Sequence, residues 1–246
     1  MRTLGASHAG RVRPNNQDSF VCGMLTETTA FAVVCDGMGG ANGGNIASGI
    51  AARAIAHCLV DEYREHADDA FVRNLFTKAV EEANAEVFRT AIENEQLRGM
   101  GTTVVAAIVN DTHAYIAHVG DSRAYLVTRP DIEQLTCDHS VVQEMVQQGR
   151  ITQEQARTHI QKHLLTRAIG VESEVKCDFS VIDFPEKATL LLCSDGLTNM
   201  VEDNTIQSLV RTFSFEEIPN KLVNTANLAG GSDNITVVVV TNTEKE

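Results

Sequence analysis

Hydrophobic and polar positions follow two patterns along the chain. Short apolar and β-branched runs bounded by turn-forming residues predict β-strands. These runs are 19–25, 29–35, 104–109, 114–119, 124–128, 175–182, 188–193 and 235–240. Apolar residues spaced three or four apart predict helices. The helical runs are 45–66, 69–96, 203–213 and 215–228. Because strands and helices come in blocks and do not alternate one by one, the pattern predicts an α+β fold built in layers.

The stretch from about 137 to 170 is more polar than its surroundings and has a helical pattern. Thr152 and Gln155 have the spacing of a capping box, and Gly149 suits the end of a preceding helix. We therefore predict short helices here, forming a flap. No linker, repeat or change of composition divides the sequence, so we predict a single domain over residues 1–246.

Charge and hydropathy narrow the class of protein. Lys and Arg number 20 against 33 Asp and Glu, a net charge of −13, and there is no Trp. A nucleic-acid binder needs a basic face, so this composition argues against one. The apolar runs are strand-sized and too short to span a bilayer. The first residues lack an apolar signal segment. The sequence thus predicts a cytoplasmic protein with no membrane contact.

The six cysteines form no Cys-x-x-Cys pair, and a disulfide framework is not expected. Cys58 and Arg64 match the Cys-x5-Arg pattern of cysteine-dependent phosphatases. That chemistry needs small residues whose backbone amides surround a phosphate, whereas the intervening residues here are bulky or acidic. Cys58 also shares an apolar helical stripe with Ile55 and Leu59. We therefore interpret Cys58 as a core residue.

The positions of five aspartates relative to the predicted strands carry the chemistry. Asp36, Asp121 and Asp195 each follow an apolar run, while Asp18 and Asp233 precede one. The end of one antiparallel strand and the start of the next lie at the same edge, so these carboxylates are expected to converge there. Such a cluster of anions is stabilised by divalent cations, and all-oxygen ligands favour Mg²⁺ or Mn²⁺.

Taken singly, each of these aspartates is an ordinary turn or cap residue, and only their joint occurrence points to a metal site. The glycine-rich segment 37–44 adds a flexible backbone beside Asp36 that a cation or phosphate can approach. The segment fits neither a dinucleotide fingerprint, which needs glycine at Asn42, nor a P-loop.

Eight motifs along the chain together resemble the type 2C family of metal-dependent protein Ser/Thr phosphatases, in its compact bacterial form. They are Arg13-x-x-Asn16-Gln17-Asp18, Val34-Cys-Asp36-Gly37-Met-Gly-Gly40, Gly101-Thr-Thr103, Val119-Gly-Asp121-Ser-Arg123, Asp138-His-Ser140, Leu165-Thr-Arg167-Ala-Ile-Gly170, Ser194-Asp195-Gly196 and Gly231-Ser-Asp233-Asn234. The resemblance implies a four-layer α-β-β-α sandwich with two central antiparallel sheets, and hydrolysis of phosphoserine and phosphothreonine in proteins.

The resemblance also implies a metal site of two Mn²⁺ or Mg²⁺ ions. By this comparison Asp36 bridges the ions, Gly37 offers its carbonyl oxygen, and Asp195 and Asp233 complete the ligands of one ion. Asp18 acts mainly through a water molecule.

Two further roles follow from the same resemblance. Asp121, with Asp195, matches the pair that holds a third, weaker ion in bacterial relatives. Arg13 matches the residue that grips the substrate phosphate; without its motif it would be interpreted as a surface arginine paired with an acid.

The sequence departs from the family pattern at a few positions. Gln17 stands where many members have Glu, which weakens one water-mediated metal contact. Met38 replaces a histidine proposed as general acid in eukaryotic relatives, so that role has no assigned side chain. His118 and His163 stand where Asn is common, and Ile160 where Pro is common. For His118 we favour packing or hydrogen bonding over catalysis.

The expected reaction is direct attack of a metal-activated water, with no phosphoenzyme intermediate. Expected partners are phosphorylated proteins, the substrates of a Ser/Thr kinase, and a monomer is favoured. The alternative is a catalytically silent regulator, a pseudophosphatase that binds phosphoproteins. Asp18, Asp36, Asp195 and Asp233 are all present, which favours the enzyme.

Overall fold

Two antiparallel sheets form the centre of the molecule. The computed structural model describes residues 1–242, except for the side chains of residues 41 and 42. The strands are β1 (Arg2–His8), β2 (Asp18–Met24), β3 (Ala30–Met38), β4 (Gly101–Thr102), β5 (Val104–Val109), β6 (His113–Val119), β7 (Arg123–Val127), β8 (Ile132–Gln134), β9 (Asp178–Asp183), β10 (Thr189–Cys193) and β11 (Ile235–Thr241). The first sheet has the order β1-β11-β10-β7-β8, and the second has the order β2-β3-β5-β6-β9, with β4 paired to β3.

Helices cover the outer face of each sheet. They are α1 (Gly40–Glu62), α2 (Asp69–Glu93), α3 (Val141–Gln147), α4 (Gln153–Thr158), α5 (Asp195–Thr198), α6 (Asp203–Thr212) and α7 (Ile218–Leu228), with a short 3₁₀ helix at Glu95–Leu97. The α1 and α2 helices pack on the second sheet, and α6 and α7 pack on the first. This arrangement confirms the predicted α-β-β-α sandwich.

The alternation of side chains along each strand builds the three apolar interfaces of the sandwich. In β3, Phe31 and Val33 pack with the helical layer, while Ala32 and Val34 face the other sheet and meet residues such as Leu190. Strands buried on both faces appear in the sequence as continuous apolar runs, which is why their positions are predictable. Each fully buried aliphatic or aromatic side chain stabilises the fold by about 1.5–3 kcal/mol.

The structure differs from the sequence-based expectation at three strands and in the segment 37–44. Strands β1, β4 and β8 are not predicted, because β4 and β8 are very short and β1 contains Gly5 in place of an apolar residue. A Cβ at Gly5 would lie 2.4 Å from the Phe20 ring, so close packing requires glycine there. The glycine-rich segment 37–44 lies mostly in regular structure, since β3 ends at Met38 and α1 begins at Gly40. A Cβ at Gly37 would lie 2.0 Å from the carbonyl oxygen of Gly44, so these glycines permit close backbone approach.

The segment 137–170 contains α3 and α4. Gly149 follows α3 with a φ of 68°, and Thr152 and Gln155 form the predicted capping box. These local predictions are confirmed. No helix in the described part of the chain is long and apolar enough to cross a membrane.

The cysteines are free thiols, as expected. Cys58 is buried among the residues between α1, α2 and the second sheet, which confirms its interpretation as a core residue. Burial and the nearby Glu62 raise the pKa of the Cys58 thiol to about 11. Arg64 lies over the ring of Phe71. This environment disfavours the thiolate that a cysteine-dependent phosphatase needs.

Candidate metal and phosphate site

The five predicted aspartates meet at one end of the sandwich. Asp18 opens β2 directly opposite Asp36 of β3, and Asp121 lies between β6 and β7. Asp195 opens α5 after β10, and Asp233 lies just before β11. The carboxylates therefore come from both sheets. The expectation that they share the edge of a single sheet is corrected to the common end of two stacked sheets.

A cleft of about 520 Å³ opens at this end. Its walls include every predicted site residue except Asp18, which is buried. The lining residues are Arg13, Pro14, Asn15, Gln17, Asp36, Gly37, Met38, Gly39, Gly40, Thr103, Asp121, His163, Leu165, Asp195, Asp233 and Asn234.

Burial and mutual repulsion hold the carboxylates in a state that resists ionisation. Burial raises the pKa of Asp18 to about 7, and the charges of Asp195 and Asp233 add to this effect. The pKa of Asp36 is raised well above its usual range by burial and then by Asp18 and Asp195. Burial followed by the charge of Asp195 also raises the pKa of Asp121. A bound cation would remove the cost of ionising this cluster.

Asp18 has one oxygen without a protein partner. Ser194 Oγ donates a hydrogen bond of 2.7 Å to Asp18 Oδ2, while Oδ1 is buried and has no partner among the described residues. An orphaned carboxylate oxygen in the interior is costly unless a water or a cation satisfies it. This oxygen, with the other carboxylates and the Gly37 carbonyl, forms the hard oxygen donor set that suits Mg²⁺ or Mn²⁺.

Two of the carboxylates are engaged by other side chains. Within residues 1–242, no three His, Cys, Asp or Glu side chains are already arranged as the ligands of one ion. Arg13 donates to Asp233 Oδ2 at 2.8 Å, and Asn199 donates to Asp195 Oδ2 at 2.8 Å. A cation bound by these aspartates would therefore compete with protein donors for their oxygens.

Arg13 lies at the mouth of the cleft, in the connection between β1 and β2. Its side chain is 54% exposed, and its ion pair with Asp233 is the contact that orients it. The guanidinium is thus held at the carboxylate cluster while most of its donors face solvent.

The backbone of Asp36 is fixed by the threonines of the Gly101-Thr-Thr103 motif. Asp36 N donates to Thr103 Oγ1 at 3.0 Å, and Thr102 Oγ1 donates to the Asp36 carbonyl at 2.9 Å. Thr103 also shares a hydrogen bond of 2.6 Å with Ser122, the neighbour of Asp121. These bonds connect the backbones that carry two of the acids.

Asn234 organises the connection that carries Arg13, a role that sequence reasoning missed. Its Nδ2 donates to the carbonyls of Ala9 and Asn15, both at 2.9 Å, and its Oδ1 accepts from the Gln17 amide at 2.7 Å. A Cβ on Gly196 would lie 1.9 Å from the Asn234 carbonyl. The only indication in the sequence was the position of Asn234 at the end of the motif Gly231-Ser-Asp233-Asn234.

Gln17 also has a role that the sequence did not indicate. Its Nε2 donates to the carbonyl of Gly40 at 2.9 Å, and its own carbonyl accepts from Ser48 Oγ at 2.6 Å. Gln17 therefore ties the loop before β2 to the start of α1.

A chain of hydrogen bonds connects the Asp121 loop to the segment 137–170. Gly120 N donates to His139 Nδ1 at 3.0 Å, so His139 Nε2 carries the proton and donates to Asp178 at 3.1 Å. Arg167 donates to the other oxygen of Asp178 at 2.7 Å. Burial, and then the neighbouring His139, lowers the pKa of His118 to about 3. The centroids of the two rings lie 4.6 Å apart. His118 is thus a neutral packing residue.

The fold and the site define a class. Two stacked antiparallel sheets between helices, with an acidic cleft and an arginine at one end, form the framework of a metal-dependent phosphatase. The model of the Protein phosphatase 2C family matches residues 4–232. The chain belongs to this family.

Individual relatives agree with this assignment. The serine/threonine phosphatase stp of Listeria monocytogenes is 39% identical over 235 residues, which cover 94% of this chain and 92% of that protein. The crystal structure of Stp1 from Staphylococcus aureus superposes with a TM-score of 0.91 at 32% identity, covering 98% and 95% of the two chains. The catalytic domain of the phosphatase PstP, solved with two manganese ions, gives a TM-score of 0.85 at 33% identity, covering 97% and 96%.

These matches confirm the fold and the protein Ser/Thr phosphatase function that the sequence predicted. The pseudophosphatase alternative is not favoured.

Proposed function

We propose that this phosphatase removes phosphate from phosphoserine and phosphothreonine with two Mn²⁺ or Mg²⁺ ions held in the acidic cleft. The observation that carries the proposal is the convergence of Asp18, Asp36, Asp195 and Asp233, from two sheets, beside the exposed guanidinium of Arg13. Substrate, metal ligands and phosphate-binding group would then lie within one cleft.

The carboxylates have distinct roles in this proposal. Asp36 would bridge the two ions, Gly37 would contribute its carbonyl, and Asp195 and Asp233 would complete one coordination sphere. Asp18 would act through a water molecule at its free oxygen, and Asp121 with Asp195 would hold a third, weaker ion. Bound in this cluster, the ions would supply a water molecule of lowered pKa for direct attack on phosphorus, with no phosphoenzyme.

Arg13 would exchange part of its ion pair with Asp233 for the phosphate oxygens. A guanidinium can bind two oxygens of a phosphate at once, so it both orients the group and offsets its negative charge. The exchange becomes easier when a cation shares the charge of Asp233, because the carboxylate then binds the guanidinium less strongly.

Substrate selection would involve the flap. His163 and Leu165, from the segment 137–170, line the cleft. Met38 lines it too and cannot donate a proton, so the side chain at this position does not act as the general acid. Phosphorylated proteins made by a Ser/Thr kinase are the proposed partners, and a cytoplasmic, monomeric protein stays the prediction of the sequence.

The test is hydrolysis of p-nitrophenyl phosphate by chelator-stripped protein, before and after addition of Mn²⁺. We expect turnover only with the metal. Metal uptake without turnover on this substrate or on a phosphoserine peptide would support the silent regulator. Full turnover of the stripped protein would contradict the carboxylate cluster as a metal site.

A further inference from the structure

A second groove lies at the opposite end of the first sheet from the acidic cleft. Thr189 pairs with Val127 on one side and with Thr241 on the other, and Arg2 also pairs with Thr241. These four residues form one row across the sheet and lie in the groove, which has a volume of about 640 Å³. The groove is closed on its other side by the C-terminal end of α6 and the segment 213–216.

The charge of this groove is opposite to that of the molecule. Four basic side chains line it, Arg2, Arg129, Lys187 and Arg211, with one acid, Glu216. The whole chain has a net charge of −13. Arg2 is paired with Glu216. The other three form no ion pair with any described residue and are exposed. The groove thus concentrates unneutralised positive charge on an acidic protein, which attracts anions locally.

Aromatic side chains make this site suited to a peptide. Phe213 and Phe215 line the groove and are partly buried. The Arg2 guanidinium lies 4.4 Å above the ring of Phe215, and the Lys221 ammonium lies 4.3 Å from that of Phe213. Cations in contact with aromatic rings offer both charge and apolar surface. A peptide segment with acidic and apolar side chains can contact both the positive charges and the apolar rings, whereas an inorganic anion contacts only the charges.

Lys187 is held in place by an unusual backbone conformation. Its φ is 62°, a left-handed region that glycine adopts without steric penalty. Its amide donates to Asn242 Oδ1 at 3.0 Å, and Thr241 Oγ1 donates to the neighbouring Ala188 carbonyl at 2.9 Å. A lysine in a turn that favours glycine points to a function for its side chain.

We propose that this basic groove binds an acidic segment of the phosphoprotein substrate, distant in sequence from the phosphorylated residue. That the segment belongs to the phosphoprotein substrate rests on the proposed function. That the groove binds an acidic peptide does not. β11 runs between the two sites with seven residues, which span about 23 Å at 3.3 Å per residue. A linker of about 14 extended residues, about 46 Å, is long enough to pass around the edge of the sandwich.

The first experiment measures binding without catalysis. The probe is a fluorescein-labelled, unphosphorylated ten-residue peptide of Glu and Asp with two Leu, followed by anisotropy on the full chain. We expect saturable binding that weakens about tenfold in the double variant R129Q/R211Q, from two partly solvated charge pairs. Lys187→Gly should also weaken binding, and the turn accepts this change. The control R53Q/R89Q removes the same charge at exposed positions of α1 and α2, and should bind as the parent does.

The second experiment joins the two sites. Two phosphoserine peptides carry the same acidic block, separated from the phosphoserine by four or by fourteen residues. For the Mn²⁺-loaded protein we expect a lower KM for the long spacer, abolished in R129Q/R211Q, with turnover of p-nitrophenyl phosphate unchanged. A four-residue spacer cannot reach both sites, so its KM should not respond to the groove variant.

The outcomes separate this proposal from the proposed function. Absent peptide binding, or equal weakening in R53Q/R89Q, overturns the groove proposal even if phosphatase activity is normal. Displacement of the peptide by millimolar inorganic phosphate at constant ionic strength would show an anion site that does not recognise a peptide, and would also overturn it. Normal peptide binding without turnover of any phosphorylated substrate would contradict the proposed function instead.

Discussion

At the residue scale, the five aspartates share a chemistry but not an environment. Asp18 and Asp36 lie side by side at the end of the β2–β3 strand pair, and burial makes both resist ionisation. Asp233 forms an ion pair with Arg13 at the mouth of the cleft. The innermost acids therefore gain most from a bound cation, because they have the least contact with solvent or with a positive side chain.

Asp36→Asn tests the bridging role. The substitution keeps the shape of the side chain and removes its charge, so we expect weaker Mn²⁺ binding and a fall in kcat of at least about a thousandfold. Turnover of p-nitrophenyl phosphate and calorimetric Mn²⁺ titration measure the two effects. Asp111→Asn, in the exposed β5–β6 turn, is the matched control and should behave as the parent. Near-normal turnover of Asp36→Asn would disprove the assignment.

Arg13→Ala tests the phosphate contact. A charge-assisted hydrogen bond to substrate contributes about 1.5–3 kcal/mol, so KM for a phosphoserine peptide should rise by about tenfold or more, with a smaller change in kcat. Arg11→Ala is the control, since Arg11 lies in the same connection but does not line the cleft. An unchanged KM would show that Arg13 does not bind the phosphate.

At the element scale, the loops of this site are held from outside by side chains of other elements. The connection from β1 to β2 makes most of its contacts with Asn234, just before β11, and with the start of α1. The Asp121 loop is held by His139 from the segment after β8. Short loops fixed in this way can position charged groups without secondary structure of their own.

Asn234→Ala tests the support of the Arg13 connection. The change removes three hydrogen bonds and leaves the Gln17 amide unpaired, so we expect a loss of about 2–3 kcal/mol and a fall in Tm of about 5–10 °C. KM should rise as well, because Arg13 is held less firmly. Asn110→Ala removes hydrogen bonds in the distant β5–β6 turn. It should lower Tm without affecting KM; equal effects on KM in both variants would argue against the positioning role.

The sequence correctly predicted those strands that are buried along their whole length. The strands β5 and β11 are buried on both faces and were found from their apolar runs. The prediction failed at β1, where Gly5 is required by contact with Phe20, and at Gly40, which opens α1. At Gly5 a residue usually found in turns is needed because a distant ring packs against it. A Cβ at Gly40 would lie in open space, and glycine suits that position because its φ of 68° is left-handed.

At the scale of the whole molecule, the acidic end makes stability depend on pH and metal together. In the metal-free protein the pKa of Asp18 is raised from 3.8 to about 7, above its value in the unfolded chain. The folded state then binds protons more tightly, so this contribution to stability is complete below about pH 4 and is lost as pH rises through 7.

We therefore expect the Tm of chelator-treated protein to fall between pH 6.0 and 8.0. For Asp18 alone, the largest change in the free energy of unfolding over the full titration is on the order of 4 kcal/mol. Mn²⁺ should raise Tm, most of all at pH 8.0, because it replaces the protons. In Asp18→Asn the pH dependence should be smaller than in the parent. An equal slope in both proteins would show that other groups cause it.

By itself, the sequence determined the layers, the family and the chemistry of the cleft. Strands, helices and motifs are local patterns, and the aspartates could be recognised because each stands next to an apolar run. The tertiary structure decided which groups meet. Asp18 lies opposite Asp36 in the pairing of β2 with β3, and Asp195 and Asp233 come from the other sheet. Arg13 forms an ion pair with Asp233. The tertiary structure also formed the basic groove from five separate segments. Contacts between residues far apart in sequence depend on how two sheets stack, and no local pattern encodes that.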